Sequence, residues 1–122
     1  MTTIRIMSFS YQKGKPEGDW HIVDARQLPN PHGVADLRDL TGQDQKVQQW
    51  LLAQPATGRL MADLVISQEP AVAIGCYGGR HRSVAVAEML ASYYTKRGQD
   101  YTITHRELGM SRYAATKGSS GQ

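Results

Sequence analysis

The sequence predicts a single α/β domain with a mixed or mainly parallel sheet and flanking helices. Three observations carry this. The run Ala71-Val72-Ala73-Ile74 is apolar at every position, the pattern of a strand covered on both faces. Three other segments repeat apolar residues at helical spacing. The remaining apolar segments alternate, as half-covered strands do. In chain order the elements read β-β-α-α-β-α-β, an α/β arrangement. The last β-α-β unit is expected to be a right-handed parallel crossover.

Each element has its own signal. Residues 3–9 alternate, with Ile4 and Ile6 on one side, and predict the first strand. Residues 12–19 hold Lys13, Gly14, Lys15, Pro16 and Gly18, which is turn chemistry. Residues 20–25 predict a second strand, Trp20 and Ile22 facing one way, His21 and Val23 the other. Between residues 27 and 39, Pro29, Pro31 and Gly33 exclude regular structure. Thr41-Gly42-Gln43-Asp44 has capping-box spacing and predicts a helix through about Ala53, with Val47, Trp50 and Leu51 on its apolar stripe. After Pro55 a second helix is expected over about 57–67, burying Leu60, Met61, Leu64 and Val65. The buried strand covers 71–75, a glycine loop 75–79, and a third helix about 82–96, with Val84, Ala87, Ala91 and Tyr94 inward. Residues 101–104 alternate as a last strand. The expected boundaries are a domain over 1–108 and a flexible tail over 109–122, which is rich in Gly, Ser and Ala.

The 122 residues hold one domain of ordinary size. Apolar residues make up 40% and charged residues 20%, enough for a core and unlike a disordered chain. No apolar run approaches the roughly 20 residues of a membrane span, so no membrane partner is expected. Met1-Thr2-Thr3-Ile4-Arg5 has no secretory signal character, and a cytoplasmic location is expected. One cysteine, Cys76, excludes an internal disulfide and a zinc site built on cysteine pairs; no metal or cofactor is expected. Residues 1–76 carry seven basic and eight acidic side chains, whereas residues 77–122 carry seven basic and three acidic. That surplus suits an anionic partner, either a phosphorylated small molecule or nucleic acid, or else it is an ordinary solvated surface.

The most informative segment is Ile74-Gly75-Cys76-Tyr77-Gly78-Gly79-Arg80-His81-Arg82-Ser83, where a buried strand passes through a glycine turn into a helix. Ligands of open α/β sheets sit beyond the carboxyl ends of strands. A helix start offers unpaired N–H groups and the positive end of its dipole. Gly78 and Gly79 allow close backbone approach, Arg80, His81 and Arg82 add positive charge, and Ser83 can cap or donate. Together they predict a phosphate-binding loop, against the plainer reading of a strand-to-helix turn with solvated arginines.

The same loop has a Cys-x2-Gly-x2-Arg-Ser sequence running from Cys76 to Ser83, similar in spacing to cysteine-dependent phosphatases. In that alternative Cys76 attacks phosphorus and Arg82 holds the phosphoryl oxygens. Gly75 stands where those enzymes usually have His, and Asp24 and Asp36 are the candidate general acids. The plainer reading makes Cys76 a small residue at a strand end.

A second motif is Asp24-Ala25-Arg26-Gln27-Leu28-Pro29-Asn30-Pro31-His32. Asp24 and Arg26 share one side of an extended segment. The prolines hold Asn30 and His32 in a nearly fixed geometry, as rigid polar loops at ligand sites do. An internal Asp24–Arg26 pair and a loop-capping His32 account for the motif equally well.

Three ordered motifs resemble the C-terminal domain family of the bacterial RNase adapter RapZ. They are Asp-x-Arg-x-Leu-Pro-Asn-Pro-His at 24–32, Leu-x-x-Leu-Thr-Gly-x-Asp at 37–44 and Ile-Gly-Cys-x-Gly-Gly-x-His-Arg-Ser at 74–83. Ser8-Phe9, Gly14-x-Pro16 and His105-Arg106-x-Leu108 also fit, so the likeness runs over about 3–108. It implies a domain similar to a phosphofructokinase subdomain that binds glucosamine-6-phosphate, oligomerises and contacts small RNAs. By residue it places the sugar-phosphate pocket on Asp24, Arg26, Asn30, His32, Gly78, Gly79, His81, Arg82 and Ser83.

Three departures shape what is carried over. The chain holds no Gly-x4-Gly-Lys-Ser/Thr, so it is expected to act as a stand-alone module without the family's nucleotide-hydrolysing P-loop domain. Tyr77 stands where the family usually has Thr, and its phenol is expected either to stack on a sugar ring or to narrow the pocket. The family's basic RNA-contacting end is sparse here, and only Tyr113 interleaves an aromatic with the basic residues. The sequence therefore predicts a non-catalytic sensor of a phosphorylated sugar or related anion. An RNA-binding adapter and a phosphatase are the alternatives, and a homo-oligomer is one expected state.

Overall fold

A computed structural model describes residues 2–115. Among these residues five strands form one sheet: β1 (Ile4–Ser10), β2 (His21–Asp24), β3 (Ala71–Cys76), β4 (Tyr101–His105) and β5 (Met110–Ala114). Three helices accompany them: α1 (Gln45–Leu52), α2 (Pro55–Ser67) and α3 (Arg82–Lys96). The strand order is β2-β3-β1-β4-β5. The first four strands are parallel and β5 runs antiparallel to β4, so the sheet is mixed. The predicted α/β class stands.

The chain leaves the carboxyl end of β1 toward β2 on one side. From β3 it passes through α3 and across β1 to β4 on the other. The connections diverge at the β1/β3 seam, and crevices open at such a switch point. β3 is buried at all six positions, as its unbroken apolar run predicts. The amphipathic spacing of α3 holds as well: Val84, Ala87, Ala91 and Tyr94 are all buried. Ala87, Ala91 and Tyr94 share one core with Ile6, Val72, Ile74 and Ile103 of the sheet and with Val47, Leu51 and Leu64 of α1 and α2.

Several expectations need correction. Asp44, not Thr41, caps α1: its Oδ1 accepts from Lys46 N at 2.8 Å, while Thr41 Oγ1 accepts from Gln43 N in the preceding turn. The helix therefore starts at Gln45 and ends one residue early, at Leu52. α2 begins at Pro55, whose fixed φ and missing N–H suit a first helical position. Of its expected stripe, Leu60 and Leu64 are buried and Met61 and Val65 only partly so. Residues 31–33 form one 3-10 turn inside the proline-rich stretch. The final β-α-β unit is parallel, but β1 lies between its two strands. Last, the segment expected to begin a flexible tail starts with β5; residues 116–122 of that segment lie outside the described residues.

One glycine fixes how the parts meet. Gly42 N donates to Arg80 O at 2.8 Å. A Cβ at Gly42 would lie 2.2 Å from Ala85 N and 2.4 Å from His81 O. Only a residue without a side chain lets this loop lie flat on the first turn of α3. That contact presses the stretch before α1 against the glycine loop and forms one side of the cleft described next.

Candidate functional site

A cleft of about 530 Å³ opens beyond the carboxyl ends of β2 and β3. Asn30, His32, Arg38 and Asp39 line one wall. Cys76, Tyr77, Gly78, Arg80, His81 and Arg82 line the other. The two motifs read from the sequence thus face each other across one space.

The first wall is built by its own short-range bonds. Asn30 Oδ1 accepts from His32 N at 3.1 Å, and Pro31 occupies the first position of the 3-10 turn. Arg38 Nε donates to His32 O at 2.8 Å, which folds Arg38 back beside the turn. Its remaining guanidinium nitrogens have no partner among the described residues. Asp39 has no hydrogen bond or ion pair among them either, and it is the only carboxylate among the described residues that line this cleft.

The second wall is the turn from β3 into α3. Ser10 Oγ donates to Tyr77 O at 2.6 Å and ties the loop to the end of β1. Gly79 adopts φ +70°, and a Cβ there would meet Glu107 Cγ at 2.6 Å. It is needed for conformation and for space, as the glycine pair suggested. His81 caps α3 without any side-chain hydrogen bond to the helix, so the first N–H groups of α3 have no capping acceptor. Arg82 is only 8% exposed; its Nη1 donates to Arg26 O at 2.7 Å and to Leu28 O at 3.0 Å. One nitrogen of Arg82 therefore clamps the first motif in place, and the rest of the guanidinium borders the cleft. Arg80 is exposed, and its side chain has no partner among the described residues. His81 Nε2 lies 3.1 Å from Arg38 O, and its ring centroid lies 6.2 Å from that of His32. Burial pushes the His81 imidazole below its ordinary pKa.

Four predicted residues do not line the cleft. Asp24 and Arg26 pair with each other: Arg26 N and Nε donate to Oδ1 at 2.8 and 3.0 Å, and Nη2 donates to Oδ2 at 2.8 Å. Those bonds hold the Asp24 carboxyl below the usual range. The Arg26 guanidinium also stacks 3.7 Å from the centre of the Tyr11 ring. Gly79 shapes the backbone from behind. Ser83 is fully buried and accepts from Cys76 Sγ at 3.1 Å.

The phosphatase alternative gains nothing from this arrangement. Cys76 is 2% exposed with its hydrogen engaged by Ser83, and neither Asp24 nor Asp36 lines the cleft. Sequence reasoning missed Arg38 and Asp39. Both sit in a stretch without regular structure, and the pointer to them was their place at the first two variable positions of the Leu-x-x-Leu-Thr-Gly-x-Asp motif at 37–44. Chemically, three arginines and two histidines around one cleft at a helix start form a receptor for an oxyanion.

The described residues contain no group of three or more His, Cys, Asp or Glu placed to hold a metal ion. No helix among them is long and apolar enough to cross a membrane.

Comparison with known proteins agrees with the motifs. The chain matches the model of the RapZ C-terminal domain over residues 2–67 and 66–109. A nucleotide-binding protein of Alkalilimnicola ehrlichii is 42% identical, with 87% of this chain and 41% of that protein covered. One from Paramagnetospirillum magneticum is 41% identical, covering 84% of this chain and 38% of the relative. Another, from Thermobifida fusca, is 38% identical over 85% of this chain and 40% of the relative. The chain thus spans about two fifths of the length of these curated relatives.

Proposed function

We propose, from the premise that this chain belongs to the RapZ C-terminal domain family, that its cleft binds the phosphate of a small phosphorylated metabolite, a sugar phosphate of the glucosamine-6-phosphate kind, as a non-catalytic sensor. The observation that carries this reading is the convergence of Arg38, Arg80 and Arg82 on one cleft at the start of α3. Planar guanidinium groups match phosphate oxygens two at a time, and the helix dipole adds to their field. A volume of about 530 Å³ falls within the range of small-molecule sites, about 300–1,000 Å³. The relatives' description as nucleotide-binding proteins is consistent with a phosphorylated ligand, although this chain covers only two fifths of their length.

The test is thermal unfolding with glucosamine-6-phosphate, glucosamine and inorganic phosphate side by side. A ligand at 100 times its Kd adds about 2.7 kcal/mol, which raises the midpoint of a domain this size by roughly 5–15 °C. A shift with the sugar phosphate and none with glucosamine supports the reading. No shift with any phosphate at millimolar concentration ends it. The RNA reading keeps the basic surplus of residues 77–122 as its motive, and a gel shift at low salt checks it, because phosphate contacts weaken steeply as salt rises.

A further inference from the structure

We infer that Tyr77 gives the cleft a second subsite, a stacking platform for the ring of a phosphorylated ligand, so that the site selects phosphate esters of ring compounds over inorganic phosphate. The inference rests on the phosphate reading above and deepens it.

Three observations point to it. The Tyr77 side chain is 59% exposed, a large aromatic surface left open to solvent, and it lines the same cleft as the three arginines. Its neighbour Cys76 is buried and engaged with Ser83, so Tyr77 is the exposed side chain at this end of the loop. Its backbone does not drift, because Ser10 Oγ holds Tyr77 O at 2.6 Å. The residue beside it is Gly78, and a Cβ there would meet nothing within 4 Å. Space is therefore open next to a residue whose backbone is held. A single phosphate fills only a small part of a cleft of about 530 Å³. The remaining space lies beside a ring whose π-face attracts either the C–H face of a sugar or the face of a nucleobase.

Asp39 limits what such a ligand can be. As the only carboxylate among the described residues that line this cleft, it repels additional phosphates and accepts hydrogen bonds from hydroxyl or amino groups. A ring carrying one phosphate and several donors satisfies both walls.

The experiment is calorimetric titration of wild type, Tyr77→Ala and Tyr77→Phe with inorganic phosphate, glucosamine-6-phosphate and adenosine monophosphate. Removing an aromatic stacking partner costs about 5- to 150-fold in affinity. The preference for a ring phosphate over inorganic phosphate is expected to fall by about that factor in Tyr77→Ala and to persist in Tyr77→Phe. The sugar and nucleotide arms identify which ring is stacked. If the preference is the same in Tyr77→Ala as in wild type, or the ring phosphates bind no better than inorganic phosphate, the stacking subsite is overturned while phosphate binding stands. If none of the three binds wild type, the phosphate reading falls and the subsite falls with it.

Discussion

His105 Nε2 lies 2.7 Å from Glu88 Oε2, at the centre of a chain of polar groups that runs from the buried Ser8 to the surface. On its other side His105 Nδ1 lies 2.7 Å from Ser8 Oγ, and Arg112 grips the Glu88 carboxylate with Nη1 and Nη2 at 2.9 and 2.8 Å. An ionised carboxylate only accepts, so Nε2 carries the hydrogen it gives to Glu88. The chain joins β1, β4, α3 and β5. Its order of serine, histidine and acid is that of a hydrolytic relay, but Ser8 is fully buried and reaches no substrate. Its work is to hold the sheet to the helix that carries the cleft.

This arrangement makes stability depend on acid. Burial alone raises the pKa of Glu88, but the hydrogen bonds from Arg112 and His105 outweigh it and bring the value down to about 2. A carboxyl depressed in the folded state stabilises above its unfolded pKa, and that contribution drains away as pH falls through the folded value. The window here runs from about pH 5 to pH 2. Denaturant unfolding of wild type and Glu88→Gln is expected to differ by about 2–3 kcal/mol at pH 7, by less at pH 3, and to converge near pH 2. An equal difference at pH 7 and pH 3 would show that the ionised carboxylate contributes nothing.

Arg80 and Arg82 are expected to part company on substitution. Arg82 satisfies two loop carbonyls from a buried position, so Arg82→Ala leaves Arg26 O and Leu28 O without a donor. A loss of about 2–3 kcal/mol is expected, together with weaker anion binding. The exposed Arg80 side chain has no partner among the described residues, so Arg80→Ala is expected to change stability by less than about 0.5 kcal/mol and still weaken anion binding about tenfold. Paired melting curves and titrations of the two variants check this. Full affinity in Arg80→Ala would remove that arginine from the site.

How far the sequence foretold this site depends on the range of the interactions. The loop from Cys76 to Ser83 was legible, because a buried strand, a glycine pair and a helix start are all local signals. The core face of α3 was legible from its spacing. Asp24 and Arg26 were read as ligand residues or as an internal pair. The structure pairs them with each other and puts Arg38 on the cleft, which sequence alone could not bring there. Arg38 arrives because Gly42 lies flat against Ala85 and His81, a contact across 43 residues that leaves only a glycine in the sequence. β5 was missed for a related reason. Its residues are mostly exposed, so no apolar alternation marks it, and what holds it is its ladder to β4 and the Arg112–Glu88 pair.

His81 predicts a pH dependence of the site itself. Burial lowers its pKa, and Arg80 and His32 nearby push the same way, while hydrogen bonds to the carbonyls of Leu40 and Arg38 oppose the shift. The free protein therefore keeps His81 neutral at pH 7. An oxyanion in the cleft favours the imidazolium, so binding takes up a proton. Affinity for sulfate, an anion that does not titrate in this range, is expected to rise as pH falls from 8 to 5.5 and to rise less in His81→Asn. The same lowered pKa works against the free protein: the contribution of His81 to stability is present above about pH 6.5 and is lost as pH drops below it. Sulfate titrations of both proteins across that range decide the matter, and identical slopes would exclude His81 as the titrating group.

β5 gives the last prediction. Residues 110–114 cover the free edge of β4 and supply Arg112, whose two hydrogen bonds complete the polar chain at Glu88. Ending the chain after Gly109 removes both. Glu88, with only 13% of its side chain exposed, would keep His105 as its partner and lose its cation. A cost of about 2–3 kcal/mol is expected relative to a chain ending at residue 115, with Arg112→Ala accounting for the larger part. A flexible tail beginning at residue 109 predicts the opposite, that both chains unfold at the same midpoint. The comparison also has a readout at neutral and acid pH. If Arg112 acts through the Glu88 carboxylate, the gap between the two chains narrows as that carboxylate is protonated. If β5 acts only by covering the edge of β4, the gap stays constant.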